Sequence, residues 1–500
     1  MGTTRKIAAV VAILGANIMG ITYGQIRSDF VLAEEGKEPS VTLDSMGRLH
    51  ATWVGGKGIK YGLFDSFGYP IQETQEFSMG SLSDSPRLDV HGDSVVIFWR
   101  RFFPGLYSSI AGTLFHATTG NIIGTFDNNK GDNVNLRPDV KFLSDSTVIA
   151  VWSGDGLLIP YPYTGVYGQL FTTSLDTING LRLFNDDIPK QSEHSYARIA
   201  TDQQSRNGVV VWRERMTASS SKVLGRLFSK NAAPLGATFL ISDLPDSIDV
   251  WSPGVVMDAQ GNFNVIWSTG KVSSLYGDVY LRRFWANGMP FGPSHKVNEK
   301  PGYNYAETDI AQDVDGRFVV VWEGRDKKTN IMAQRFSSDG SLIGGNFKVG
   351  MVTDTLNQYY PSTALRDGKM YTAWEELILI DSTTFHFNAW MNIIDFDDVP
   401  VSVKNRTGKT PEAHHLLQNY PNPFNPVTTI RFALLRSSHV QLIIYDALGN
   451  EIVTLEDREM LSGVHEVTWN AKEREVPSGV YVCQLKTNGY MQTRKMLLIR

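Results

Sequence analysis

The chain has 500 residues, 42% of them hydrophobic, which is enough for a large repeat fold beside a second, small domain. A formal net charge of −5 offers no basic footprint, so a nucleic-acid partner held through its phosphates is excluded. Cys483 is the only cysteine, which rules out intramolecular disulfides, and 45 Gly with 25 Phe, 19 Tyr and 11 Trp favour short strands and turns over helices.

In chain order, residues 1–24 come first. Arg5 and Lys6 precede an apolar run from Ile7 to Ile21, and Thr22-Tyr23-Gly24 follows. A basic start, a short apolar stretch and small residues are the pattern of a secretory signal peptide, here cleaved near Gly24. The run is shorter than the ~20 residues of a spanning helix, so no permanent membrane span is expected after cleavage.

Residues 25–398 repeat. Trp53, Trp99, Trp152, Trp212, Trp267, Trp322 and Trp374 recur 46 to 60 residues apart, each closing a short apolar run that follows a turn. Thirteen or fourteen residues before the Trp stands Pro39, Pro86, Pro138, Pro253 or Pro361, with Ala197 and Thr308 near that place in the other two copies. Between them lie a strand and an Asp/Gly reversal, as in Val255 to Gly261. After the Trp come a variable loop, an alternating strand such as Ile331 to Phe336, a turn at Ser338-Asp339-Gly340 and a fourth short strand, Asn346 to Val349. Four antiparallel strands per copy make one blade, so the fold class predicted is all-β, with a seven-bladed β-propeller. Asp29-Phe30-Val31-Leu32 is a fourth-strand pattern without a blade upstream, free to complete the last blade and close the ring; Ile393 to Val403 is the competing donor. The repeat resembles the Asp-x-x-Gly-x-(apolar)-Val-Val-Trp repeats of large bacterial surface proteins, most clearly from Asp313 to Val349. That resemblance implies a propeller-like array on an exported protein and no established catalytic set.

Loops after each Trp, and those leading from each fourth strand into the next blade, open on one face. They carry the candidate ligand-binding residues Arg100, Arg213, Tyr303, Tyr305, Tyr359 and Tyr360. Aromatic faces beside charged groups suit a sugar, whose ring stacks while its hydroxyls take charge-assisted hydrogen bonds. Glu214, Glu323 and Glu375 are the candidate catalytic carboxylates, since glycoside hydrolysis needs two such groups about 5 to 10 Å apart with separated pKa values. A propeller funnel could bring them together, but nothing in their spacing says that it does. Asp313-Val314-Asp315-Gly316 lacks the further acidic ligands of a calcium loop and reads as a hairpin turn; no metal site and no cofactor are expected. Cys483, in the alternating run Tyr481 to Leu485, reads as a small buried residue and not as a nucleophile. Three functions stay open: a binding protein for an extracellular glycan or protein, a secreted glycan-active hydrolase or lyase, and a structural surface component.

Residues 399–415 turn polar and read as a linker. Tyr420-Pro421-Asn422-Pro423-Phe424-Asn425-Pro426 follows, and it reads as a rigid, extended connector because three prolines remove amide donors and Asn favours turns. Strand patterns return at Thr428 to Leu434, His439 to Tyr445, Glu451 to Leu455, Val464 to Trp469, Gly479 to Lys486 and Met491 to Ile499, predicting a small Ig-like β-sandwich over 416–500. The Tyr420 to Pro426 motif, Tyr445-Asp446-x-Leu448-Gly449, Gly463-x-His465 with Trp469, Ser478-Gly479-Val480-Tyr481 and the ending Lys495-Met496-Leu497-Leu498 closely resemble the type A sorting domain of the type IX secretion system. Asn470-Ala471 and Val482-Cys483 depart from that family's usual glycine turn and aromatic pair. The resemblance implies export to the periplasm, recognition by the type IX translocon and a product that is secreted or held on the cell surface.

Overall fold

A computed structural model describes residues 29–396 and 415–499, except for 57, 78–81, 104–107, 129–134, 155–163, 189–191, 203–206, 218–219, 271–275, 301, 304–305, 326–327, 351–355, 380–384, 417–418, 420–421, 423, 435–437, 461–462, 475 and 488–489. The expected leader, and the expected linker up to its last residue, His415, lie outside the described residues. The chain falls into two compact units that divide between Ser402 and Val403.

Among the described residues the first unit forms seven antiparallel sheets, six of four strands and one, the sixth, extended by two short strands, Tyr276–Gly277 and Gly302–Tyr303. Their opening strands are Gly36–Leu43, Ser83–His91, Asn135–Ser144, Glu193–Thr201, Asp249–Met257, Thr308–Gln312 and Gln358–Arg366. Each neighbours the next in that order and the last neighbours the first, so the sheets form a closed ring around these strands, as in a propeller. The fourth place in the last sheet belongs to Phe30–Ala33, which pairs with Phe385–Asp395 through Phe30↔Met391 and Val31↔Trp390. Ile393, from the competing donor, pairs with Tyr371 inside the third strand of that sheet.

Sheet-on-sheet packing explains the tryptophan period. Each second strand is covered on both faces, so its residues just ahead of the Trp are buried; Val319, Val320, Val321 and Trp322 form a continuous apolar run, whereas His50, Thr52, Asn264 and Thr372 are buried polar members of other copies. Trp99, Trp152, Trp212, Trp267, Trp322 and Trp374 each lie in an apolar cluster shared between their own sheet and the preceding one. The hairpins are closed locally. Asp313 Oδ1 accepts the amides of Asp315 and Arg317, and Gly316 takes a φ of 82°, which confirms a turn at this place.

One irregularity repeats. The pairing of first and second strands slips at the same place in six sheets, and a non-glycine residue with positive φ stands there: Glu38 (45°), Ser85 (53°), Arg137 (32°), Tyr196 (57°), Ser252 (42°) and Tyr360 (51°). Five of these directly precede the repeat proline and Tyr196 precedes Ala197. Proline has no amide hydrogen, so it fits a bulge without leaving a buried donor unpaired. In the sixth sheet Glu307 holds the corresponding place ahead of Thr308.

The second unit is a two-sheet sandwich. His415–Leu416, Val427–Leu434 and Gly463–Asn470 form one sheet; Glu451–Met460, Ser438–Asp446, Gly479–Thr487 and Tyr490–Leu498 form the other. Ile430, Phe432, Leu442, Ile444, Leu485 and Met496 fill the space between them. The described part of the 420–426 motif is not a spacer. Phe424 is 2% exposed against Trp469, and its amide and carbonyl bond Leu497 O and Ile499 N at 2.9 and 3.0 Å. Asn422 Oδ1 accepts the Leu497 amide at 2.7 Å, so Asn422 and Phe424 stitch the segment to the last strand. Tyr420, Pro421 and Pro423 lie outside the described residues. Cys483 is buried and burial pushes its thiol up to about 12, leaving no thiolate at neutral pH.

Candidate functional site

The bulges aim their side chains at the ring axis. Glu38, Ser85, Arg137, Glu307 and Tyr360, with Arg87 and Arg198 just beyond two of the bulges, line a recess of about 30 Å³. Arg137 is its centrepiece. Its Nη1 donates to Glu307 Oε1 at 2.7 Å across 170 residues of sequence, and its guanidinium lies over the rings of Tyr196 (4.8 Å) and Tyr360 (5.7 Å). Tyr196 in turn meets Trp251 at 4.9 Å, and the Arg213 guanidinium lies 4.2 Å from the Trp251 ring centre. The result is a chain of cation and ring contacts, Arg213, Trp251, Tyr196, Arg137, Tyr360, drawn from four sheets, in which Trp251, Tyr196 and Tyr360 stay partly exposed.

Four carboxyl groups surround this stack in two electrostatic states. Burial opposes ionisation of Glu307, but Arg137 and the Ser252 hydroxyl, donating at 2.7 Å, outweigh it and hold the group below the usual range. Among the described residues no cation pairs with Glu323. Burial, and then the Glu307 charge, push it up to about 8, while its two oxygens accept the amides of Tyr360 (2.9 Å) and Glu307 (3.3 Å). Glu375 accepts the Glu38 amide at 2.9 Å, and burial carries it up to about 7. Glu38 is raised by burial and by Asp84, and it accepts the Ser85 amide at 2.9 Å. Glu323, Glu375 and Glu38 thus each hold the bulge of the next sheet by its backbone.

The structure brings Glu323, Glu375 and Tyr360 to this axis. Glu214 is held elsewhere, accepting the Ser192 hydroxyl at 2.7 Å with His194 Nε2 at 3.7 Å, and the His194 hydrogen bond lowers its pKa. Arg213, 2% exposed, donates to Asp249 at 3.0 Å and to Val250 O at 2.8 Å, so it serves the stack from behind. Arg100 pairs with Asp84 and lies 4.5 Å over the Phe102 ring. Tyr359 is half-buried and opposite Glu375 in its ladder. Tyr305 and the Tyr303 side chain lie outside the described residues. Sequence reasoning missed Glu38, Arg87, Arg137, Tyr196, Arg198, Trp251 and Glu307. The residue immediately before each repeat proline was the signal that marks most of the ring. Among the described residues no group of three or more His, Cys, Asp or Glu is placed to hold a metal ion, and no helix is long and apolar enough to cross a membrane.

Solved structures with a similar fold include polysaccharide lyase Uly1, at 9% identity over 76% of this chain and 94% of that one, TM-score 0.46. An α-L-arabinanase from Penicillium chrysogenum matches at 10% identity over 63% and 94%, TM-score 0.42, and a variant of NanB sialidase from Streptococcus pneumoniae at 9% over 75% and 70%, TM-score 0.41. With TM-scores below 0.5, these likenesses carry no argument about activity. Among curated proteins none matches the chain. Residues 418–500 match the family described as the secretion system C-terminal sorting domain, and they coincide with the sandwich whose first strands and last strand Asn422 and Phe424 tie together. The chain therefore carries a type IX C-terminal sorting domain, which marks it as a protein secreted or attached to the cell surface.

Proposed function

We propose that the exported propeller is a binding protein for an extracellular glycan and that its site is the mouth of the ring axis. One observation carries this reading: Trp251, Tyr196 and Tyr360, each partly exposed, converge with Arg137 from separate sheets on bulges of non-glycine residues with positive φ. Strained backbone of this kind is retained where a side chain must be aimed, and aromatic edges beside a guanidinium suit a sugar ring and its hydroxyls. The test is a glycan array with the full chain, followed by titration of any hit against Tyr196→Ala and Tyr360→Ala. Each variant is expected to lose at least tenfold in affinity, and absence of binding to every glycan sinks the reading.

A second reading, a glycan-active hydrolase or lyase, has one observation in its favour. At neutral pH Glu323, near 8, stays largely protonated and Glu375, near 7, is about half protonated, beside an ionised Glu307, the kind of split that separates an acid from a base. Against it, Glu323 spends both oxygens on backbone amides and both side chains are 4% exposed. Turnover of a polysaccharide that Glu375→Gln abolishes would establish the enzyme.

A further inference from the structure

The recess carries more positive charge than its partners neutralise. Arg87, Arg137 and Arg198 line it against two carboxyls, Glu38 and Glu307. Arg137 is committed to Glu307. Among the described residues neither Arg87 nor Arg198 forms an ion pair, and Arg198 Nη1 is buried without any hydrogen-bond partner, on a side chain only 7% exposed. Nearby carboxylates are engaged otherwise: Asp139 accepts the amides of Val140 and Ile199 at 3.0 Å each, and Asp309 accepts that of Thr363 at 2.8 Å. Burial and the Arg87 charge lower Arg198 to about 10, which still leaves it a cation at neutral pH. A buried guanidinium without a partner is costly, and such groups are normally satisfied by something. The recess, about 30 Å³, has room for about two waters, which is the space the two oxygens of a carboxylate fill.

We propose that the recess binds the carboxylate of a uronate residue in an acidic glycan, with Arg198 and Arg87 donating to its oxygens and Tyr360 walling the sugar. Arginine is the side chain whose planar donor fork matches a carboxylate. This inference rests on the glycan-binding reading and narrows it to one chemical class.

The experiment titrates the full chain with oligomers of glucuronate, galacturonate and mannuronate, each beside its carboxyl-reduced neutral form and beside a peptide with a free terminal carboxylate. At least one uronate is expected to bind tenfold or more tightly than its neutral form, and Arg198→Met is expected to remove that preference. A second measurement guards against misfolding: the unliganded Arg198→Met protein should melt at or above the wild-type temperature, because an unpaired buried charge has been removed. A markedly lower melting temperature assigns Arg198 a structural role and overturns the proposal. Equal binding of acid and neutral forms also overturns it but leaves the glycan reading intact. Failure of every glycan overturns both, and preference for the peptide overturns the uronate in favour of a protein ligand.

Discussion

Replacing Glu375 with Gln should stabilise the propeller, and increasingly so as pH rises. The wild-type carboxyl is 4% exposed, and its Oε2 accepts the Glu38 amide at 2.9 Å. Burial, offset in part by that amide and reinforced by the Glu38 charge, moves its pKa from 4.5 to about 7. Between those values the folded chain keeps a proton that the unfolded chain has released, so wild-type stability is fully present below the lower value and falls as pH climbs through the upper one. At about 1.4 kcal/mol per pH unit, the interval amounts to about 3 kcal/mol. Gln holds the neutral form at every pH, and its amide oxygen can still accept the Glu38 N–H. The two proteins should therefore melt together near pH 4 and separate by several degrees at pH 8, read by calorimetry of the full chain at four pH values between. A gap that is constant with pH, or a Gln variant that melts lower at pH 8, would refute the burial argument.

Ring closure predicts that deleting residues 29–34 removes two buried anchors, Phe30 and Leu32, and costs about 3 to 6 kcal/mol; an unchanged melting temperature would defeat it. Trp267→Ala empties a fully buried indole site between two sheets and should cost about 3 to 5 kcal/mol by chemical denaturation. Phe424→Ala should loosen the sorting domain by a similar amount, about 3 kcal/mol or more, with faster amide exchange at Leu497 and Ile499 as its local signature. Cys483 should stay inert to a thiol reagent at pH 8 and react only once the chain is unfolded.

What could be read in the sequence was whatever one short stretch encodes by itself. Trp322 closes a run of valines because a strand packed on both faces has no polar side, and Asp313 with Gly316 closes a hairpin with bonds that span four residues. Such patterns recur at fixed spacing, so the blade, the ring and the donor strand at Phe30 were all legible. The axial site obeys a different rule. Arg137 and Glu307 meet across 170 residues, and each stands where a bulge diverts its strand, a place where the alternation of inward and outward side chains no longer holds. Attention to the loops after each Trp therefore found Glu323 and Glu375, which hold the bulges by their backbones, but not the side chains that those bulges present. The repeat proline was visible all along. Its meaning, that the residue before it turns toward the axis, follows from the missing amide hydrogen together with the ring, and only once both are known do Glu38, Ser85, Arg137 and Tyr360 become one lining assembled from four sheets, with Ser252 buried behind Glu307.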